Sequence, residues 1–357
     1  MKKENFKKSD FTLDTEKECK SKKDILILGI ESSCDDTSVA IVKNGREVLS
    51  NAISSQIDIH TIYGGVVPEI ASRNHTKNIQ FVLEKALKDA NCTLNDISAI
   101  AVTYGAGLLG ALIVGVSFAK ALAYATKKPL FAVNHIEGHI SANYIQHKDL
   151  KPPFVCLVVS GGHTALFEMK SHTEKKLIAT TTDDAIGEAF DKVSRECGLG
   201  YPGGPAIQKC ALNGQNCIEF VRHNTNKTSK GFSYSGLKTA VINYLHNKKQ
   251  KNEDVSIPDV CASFQSQAVE QLVKIAIDEL KKTGHKKLVL AGGVSANALL
   301  RQRFAEECEK IGVKLYYPEL KLCTDNAAMI ASQAYFNYIS GAVPADLTLA
   351  PKSTVEL

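Results

Sequence analysis

The chain reads as an α/β protein built from two related halves. Two observations predict this. Apolar runs of strand length alternate with stretches of helical periodicity. In addition, one strand–tight turn–strand shape occurs twice. Residues 25–30 (ILILGI) lead into the polar turn Glu31-Ser32-Ser33-Cys34-Asp35-Asp36-Thr37, after which 38–42 resume as a strand. At 154–169 the pattern returns as FVCLVVS, Gly161-Gly162-His163 and TALFEM. Copies this far apart predict a duplicated fold rather than two unrelated domains.

The elements follow in order. Ile79, Val82, Leu83, Ala86, Leu87 and Ala90 recur at helical spacing, and 97–103 (ISAIAVT) reads as a strand. The Gly-rich GAGLLGALIVG opens a helix to about Thr126, and Leu130-Phe131-Ala132-Val133 is a short strand. The second half predicts a helix around 183–197, a YPGGP turn at 201–205 and a long helix near 259–282. The strand Lys287–Ala291, a helix from Ser295, the strand Val313–Tyr317 and a last helix near Asp325 complete it. The charged stretch 246–254 (HNKKQKNED) reads as an exposed loop.

Composition excludes several classes. The 357 residues, 44% hydrophobic and 23% charged, suit a soluble chain with two cores. The longest apolar run, Leu108–Val116, is too short to span a bilayer. Residues 1–24 hold eight Lys and six Asp or Glu without periodicity, a polar, disordered tail unlike a signal peptide or presequence. The ten cysteines include no CxxC pair, which excludes a structural zinc cluster and predicts a reducing, cytoplasmic compartment. A net charge of +5 permits a nucleic-acid partner without requiring one.

His135 and His139 sit four residues apart after a strand, so a helix starting there turns both imidazoles to one side. Neutral imidazoles in that arrangement suit iron or zinc, with a carboxylate from elsewhere as third ligand. A HExxH protease is excluded, because Glu137 at i+2 points about 200° away from His135. The turns at 159–162, 201–205 and 291–297 are candidate anion cradles, where glycine lets backbone N–H groups approach a phosphate. Asp35 and Asp36 occupy the first polar turn, and Asp191 lies on a predicted helix. Asp325 stands where a helix begins, as an N-cap or as a carboxylate facing the site.

Nine segments, in chain order, carry a resemblance. They are GIESSCDDTSVAIV (29–42), VVPEIASRNH (66–75), NHIEGH (134–139), LVVSGGHT (157–164), DDAIGEAFDKV (183–193), YPGGP (201–205), FSYSGLKTAV (232–241), GGVSANALLR (292–301) and CTDNAAMIA (323–331). Over about residues 25–340 the chain resembles the tRNA adenosine threonylcarbamoyltransferases, called TsaD in bacteria. The resemblance implies an actin-like, sugar-kinase-like duplicated fold, two α/β lobes around a central cleft. The expected division is a first lobe of 25–153 plus 321–345 and a second lobe of 154–320.

It also implies transfer of a threonylcarbamoyl group from threonylcarbamoyl-AMP to the exocyclic amine of the adenosine 3′ to the anticodon. The tRNAs are those reading ANN codons, and AMP leaves. The implied metal ligands are His135, His139 and Asp325, holding one divalent metal, Fe²⁺ favoured and Zn²⁺ as alternative. The implied substrate contacts are Val158, Val159, Ser160, Gly161 and Gly162, with Asp191, Gly204 and Asn297; Asp35 takes the catalytic acidic position. The chain departs from the pattern at Asp36, where Glu is frequent, and at Gln208, where many members carry Asp. Expected partners are tRNA, a companion TsaB-like paralogue and a TsaE-like ATPase, with no membrane. Lys192, Arg195, Lys238, Arg301 and Arg303 are candidate phosphate contacts. Two rivals remain: an actin-fold kinase or ATPase using Mg²⁺, which has no need of two imidazoles, and a non-catalytic scaffold paralogue.

Overall fold

The computed structural model describes residues 24–220 and 231–357. Apart from Asp24, the expected polar tail lies outside the described residues. The first sheet contains β1 (Leu26–Glu31), β2 (Asp36–Lys43), β3 (Glu47–Ser55), β4 (Ala99–Gly105) and β5 (Leu130–Asn134), in the order β3-β2-β1-β4-β5. The second contains β6 (Phe154–Val159), β7 (Thr164–Met169), β8 (Lys175–Thr180), β9 (Lys287–Ala291) and β10 (Lys314–Tyr316), in the order β10-β9-β6-β7-β8. In each sheet the first three strands are antiparallel neighbours and the last two join in parallel. Order and direction therefore repeat strand for strand, and the sequence repeat coincides with the leading hairpins β1–β2 and β6–β7. Parallel additions need crossovers, which the helices supply.

The helices are α1 (Ile57–Thr61), α2 (Pro68–Asp89), α3 (Leu109–Thr126), α4 (His135–Gln146), α5 (Ile186–Glu196), α6 (Gly203–Ala211), α7 (Ser235–Gln250), α8 (Ile257–Thr283), α9 (Ala298–Lys310), α10 (Leu320–Cys323) and α11 (Ala327–Ile339). Ile79, Val82 and Leu83 of α2 and Val116 and Ala119 of α3 cover one face of the first sheet. Met329, Ile330 and Ala334 of α11 cover the other. A Cβ at Gly29 would stand 2.4 Å from the Ala327 carbonyl oxygen, so glycine there allows α11 to press against β1. On the second sheet, Phe190, Ile207, Leu237, Phe264, Leu272 and Phe304 from α5–α9 form one core.

Helix α4 occupies the seam. Its Ile136, Ile140 and Tyr144 pack with Phe154 and Val158 of β6, Val289 of β9 and Phe336 of α11. Each such buried side chain contributes about 1.5–3 kcal/mol. The seam thereby fixes the helix that carries the histidine pair. Helix α3 is long and apolar enough to cross a bilayer by length and composition. Its inner face, Ala111, Leu112, Gly115 and Val116, is nonetheless buried in the first lobe, and Lys120 on it reaches the Leu349 carbonyl at 3.1 Å.

The structure revises several boundaries. Helix α2 starts at Pro68, well before Ile79, with proline at its first turn. The stretch 246–250 is the end of α7 rather than loop; lysine and glutamine are good helix formers, and only the part beyond Gln250 is turn. Within YPGGP, α6 already begins at Gly203 behind Pro202. A 3₁₀ turn occupies Gly293–Ala296, and α9 starts at Ala298, capped by Asn297 rather than Ser295. Strands β3 and β8 and the short α1 are elements that periodicity did not reveal.

Candidate active site

His135 opens α4 directly after β5, where Asn134 Oδ1 accepts the Ile136 N–H at 2.9 Å and caps the helix. Helical spacing brings His139 beside it, the ring centroids 4.6 Å apart. Asp325 enters from the far end of the chain, just before α11. Its Oδ1 lies 3.3 Å from His135 Nε2 and 3.3 Å from His139 Nε2. Asp325 is not the helix cap. Asn326 Oδ1 accepts the Met329 N–H at 3.1 Å, leaving the neighbouring carboxylate free to face the histidines.

The three residues fit a metal. One ligand atom from each falls within 4.8 Å of the others. Bonds of about 2.0–2.1 Å at tetrahedral angles put ligand atoms roughly 3.3–3.4 Å apart, matching the Nε2–Oδ1 separations. Although His139 Nε2 is close to Asp325, the contact lacks hydrogen-bond alignment, and both His139 ring nitrogens are buried without partners. Orphaned buried nitrogens are costly unless something outside the protein satisfies them. Two imidazoles and one carboxylate suit iron or zinc better than magnesium.

Behind the triad stands Glu31, fully buried at the end of β1. Its Oε2 accepts from His135 Nδ1 at 3.0 Å and from Thr103 Oγ1 at 2.7 Å, and its Oε1 accepts the Ser33 N–H at 2.6 Å. A carboxylate on Nδ1–H fixes the tautomer that leaves Nε2 free as a ligand. Burial opposes charge on His135, but Asp325 and Glu31 outweigh it and raise its pKa well above the usual value. Burial likewise works against an ionised Glu31, yet His135 holds its pKa below the ordinary range. His139, buried and beside His135, is shifted down. The metal-free cluster therefore keeps a proton, which a cation at His135 Nε2 would displace.

Asp35 ends the turn from β1 and Asp36 opens β2. Asp35 Oδ2 and Asp36 Oδ1 are buried without hydrogen-bond partners. Burial and the charge of Asp35 push Asp36 up to about 7, against a hydrogen bond from Ser55. Tyr201 faces the same space: burial, then Asp35, Asp191, Cys34 and Asp325, all raise its pKa.

Across the cleft, Val158 and Val159 end β6 with their side chains in the core, so only their backbone can meet a ligand. Ser160 closes the turn by accepting the His163 N–H at 3.2 Å. A Cβ at Gly161, Gly162, Gly204 or Gly293 would meet nothing within 4 Å. Protein packing thus does not require glycine at these positions. Asp191 Oδ1 accepts the Gly203 N–H at 2.7 Å and joins α5 to α6; burial raises its pKa despite that bond. Asn297 caps α9 through Leu300 N–H at 2.9 Å and donates to Gln265 at 2.8 Å, so much of its amide is already used. Gln208 accepts the Ala298 N–H at 2.7 Å.

The candidate tRNA contacts are largely engaged within the protein. Arg303 pairs with Glu270 and Glu306, and Arg301 Nε donates to the Ser295 carbonyl at 2.6 Å while its guanidinium stacks over Tyr317. Lys192 and Lys238 both bind Asp184, and Arg195 donates to the Gly64 carbonyl at 3.0 Å. Sequence reasoning missed Glu31, Tyr201 and His163. Burial and the charges of His135 and His139 push His163 down to about 4, which places it on the same cluster. Its signal was its place in the repeated turn, last before β7 as Asp35 is last before β2.

Comparison with known proteins agrees with this layout. The TsaD family model, described as tRNA N6-adenosine threonylcarbamoyltransferase, matches residues 47–332. A curated relative of that name from Clostridium botulinum (strain 657 / Type Ba4) is 56% identical over 321 residues, 90% of this chain and 94% of the relative. Another from Clostridium novyi (strain NT) is 56% identical over 332 residues, 92% of this chain and 97% of the relative. Among solved structures, HypF of T. kodakarensis has a TM-score of 0.61 at 13% identity and covers 90% of this chain and 48% of its own. Component A of the Acidaminococcus fermentans (R)-2-hydroxyglutaryl-CoA dehydratase has a TM-score of 0.53 at 13% identity, covering 89% and 99% respectively. At such identities the likeness shows the fold alone, the actin-like, sugar-kinase-like architecture of two α/β lobes. With the family match spanning most of the chain and relatives this similar over nearly their whole length, the chain belongs to the TsaD family of tRNA N6-adenosine threonylcarbamoyltransferases.

Proposed function

We propose that the chain transfers a threonylcarbamoyl group from threonylcarbamoyl-AMP to the exocyclic amine of the adenosine 3′ to the anticodon in tRNAs reading ANN codons, releasing AMP. The observation that carries this reading is the His135–His139–Asp325 cluster, two buried imidazoles and a half-buried carboxylate, in a chain of this family. These three residues would hold one divalent cation, Fe²⁺ by preference and Zn²⁺ as the alternative, which when bound supplies Lewis-acid polarisation of the acyl carbonyl.

The chain's own residues supply the rest. An adenine amine is a weak nucleophile because its lone pair is delocalised, whereas the acyl–phosphate mixed anhydride is activated. Positioning and charge stabilisation are the main requirements. The backbone at Val158–Gly162 holds the acyl group, its glycines leaving room for close approach. Gly204 and the turn ending at Asn297 border the adenylate, and Asp191 fixes α6 beneath it through Gly203. Asp35, with an unpartnered oxygen in the cleft, takes the proton the amine loses as it attacks. The partners are tRNA, a TsaB-like paralogue and a TsaE-like ATPase, the compartment is the cytoplasm, and no membrane is involved.

The test is reconstitution of the purified chain with those two partner proteins, unmodified tRNA and threonylcarbamoyl-AMP, read by nucleoside mass spectrometry. Threonylcarbamoyladenosine that disappears with a chelator is expected; absence of product overturns the reading. Asp35→Asn should lower kcat by roughly 10²–10⁴-fold with tRNA affinity unchanged, and retained turnover would exclude Asp35 as the base.

A further inference from the structure

Helix α2 sends one side chain into the first lobe beneath the acidic turn. His75 is fully buried and both ring nitrogens are engaged. Its Nε2 lies 2.9 Å from the Cys34 carbonyl oxygen and its Nδ1 2.8 Å from Thr37 Oγ1. A carbonyl oxygen only accepts, so Nε2 carries a proton. Burial lowers the pKa of His75 and so favours the neutral ring, against the opposing effect of the Cys34 bond. In that tautomer Nδ1 is bare and the Thr37 hydroxyl donates to it.

These two bonds fall on either side of Asp35 and Asp36: one on the residue before the pair, the other on the residue after. Asp35 Oδ2 has no hydrogen-bond partner, and the Cys34 thiol bonds the same carboxylate, so the turn that carries both residues sets where that oxygen points. The other end of the turn is held separately, by Glu31 Oε1 on the Ser33 N–H at 2.6 Å.

We propose that His75 is the positioning residue of Asp35, bracing the turn through Cys34 and Thr37 so that the Asp35 carboxylate is presented to the attacking amine. The proposal rests on Asp35 as proton acceptor. It also explains why a histidine rather than an apolar residue sits on the buried face of α2: an acceptor-only carbonyl and a hydroxyl must be joined across the ring, and one neutral imidazole does both.

The experiment compares His75→Ala, His75→Gln and Thr37→Val with the unsubstituted protein in the reconstituted assay, with metal content and tRNA affinity measured on each. Misplacement of a reacting group by about 1 Å costs about 10²-fold, so His75→Ala should lose about 10²-fold in kcat with tRNA affinity and metal content unchanged. His75→Gln keeps a donor for Cys34 and should recover much of that loss. Thr37→Val, nearly isosteric, gives the same direction if His75→Ala does not fold. The decisive arm places the His75 substitution in an Asp35→Asn background. A residue acting through Asp35 costs little there, because effects of a unit are not additive. An equal loss in both backgrounds, or a loss that follows metal content or melting temperature, overturns the positioning role. If Asp35→Asn itself keeps full turnover, the base assignment fails; if it is inactive while the His75 and Thr37 variants are fully active, only the positioning role fails.

Discussion

Glu31 illustrates why part of the site was legible in sequence and part was not. The histidine pair announced itself, because four-residue spacing after a strand is a local signal. Glu31 sits in a polar turn that resembles many others, and its role depends on β1 ending beside β4 and α4, so that one carboxylate meets Thr103 and His135, 104 positions away. Asp325 was ambiguous for a related reason: Asp and Asn both cap helices, and only the structure assigns the cap to Asn326. Glu31→Gln keeps the shape and one accepting oxygen but removes the anion behind His135. Metal affinity should fall about 10–100-fold, seen as metal lost on dialysis against a weak chelator, with the fold intact by circular dichroism. Unchanged retention would show that Glu31 serves only the turn.

At the scale of elements, α5 is the helix whose placement matters most to the substrate side. It approaches the turn after β6 at Gly187, where a Cβ would stand 2.5 Å from the Ser160 carbonyl oxygen and 2.7 Å from Gly161 Cα. Gly161 itself faces open space, with nothing within 4 Å of a Cβ. Two adjacent glycines therefore predict opposite signatures. Gly187→Ala forces the helix off the turn and should cost about 1–3 kcal/mol, visible as a lower melting temperature together with weaker turnover. Gly161→Ala should leave the melting temperature unchanged and raise KM for threonylcarbamoyl-AMP. Equal melting temperatures for the two variants would contradict this packing. Sequence periodicity could find α5 but not its closest neighbour, since contact between a helix and a turn some 25 residues earlier leaves no repeat. The same limit explains α7: its charged end lacks an apolar stripe, yet helical propensity carries it to Gln250.

At the scale of the molecule, the duplication was readable because its two hairpins share a sequence shape. The matching crossovers were not, their helices having diverged in length and number between the lobes. What the repeat supplies is two equivalent turns, the acidic one after β1 and the Gly-Gly-His one after β6, with α4 in the seam between their sheets. His163 belongs to the second turn yet is affected by His135 and His139 in the seam, and it is held neutral down to about pH 4. Its ordinary pKa is 6.5. Above that value neither the folded nor the unfolded chain carries the proton, and the residue costs nothing. As pH falls towards 4 the unfolded chain takes up the proton and the folded one does not, so stability is lost, and below that the loss levels off. His139 and His75 are shifted in the same direction; Asp36, raised to about 7 by burial and Asp35, acts in the opposite sense over the same range, because there the folded chain takes up the proton first. The contribution of His163 is therefore read as a difference: in metal-free protein, His163→Asn should make the change of stability between pH 6.5 and 4 less unfavourable by about 1.4 kcal/mol per pH unit than in the unsubstituted chain. Urea melts of both proteins across this range measure it; parallel slopes would mean that His163 meets solvent and that the two turns do not close on the seam as described.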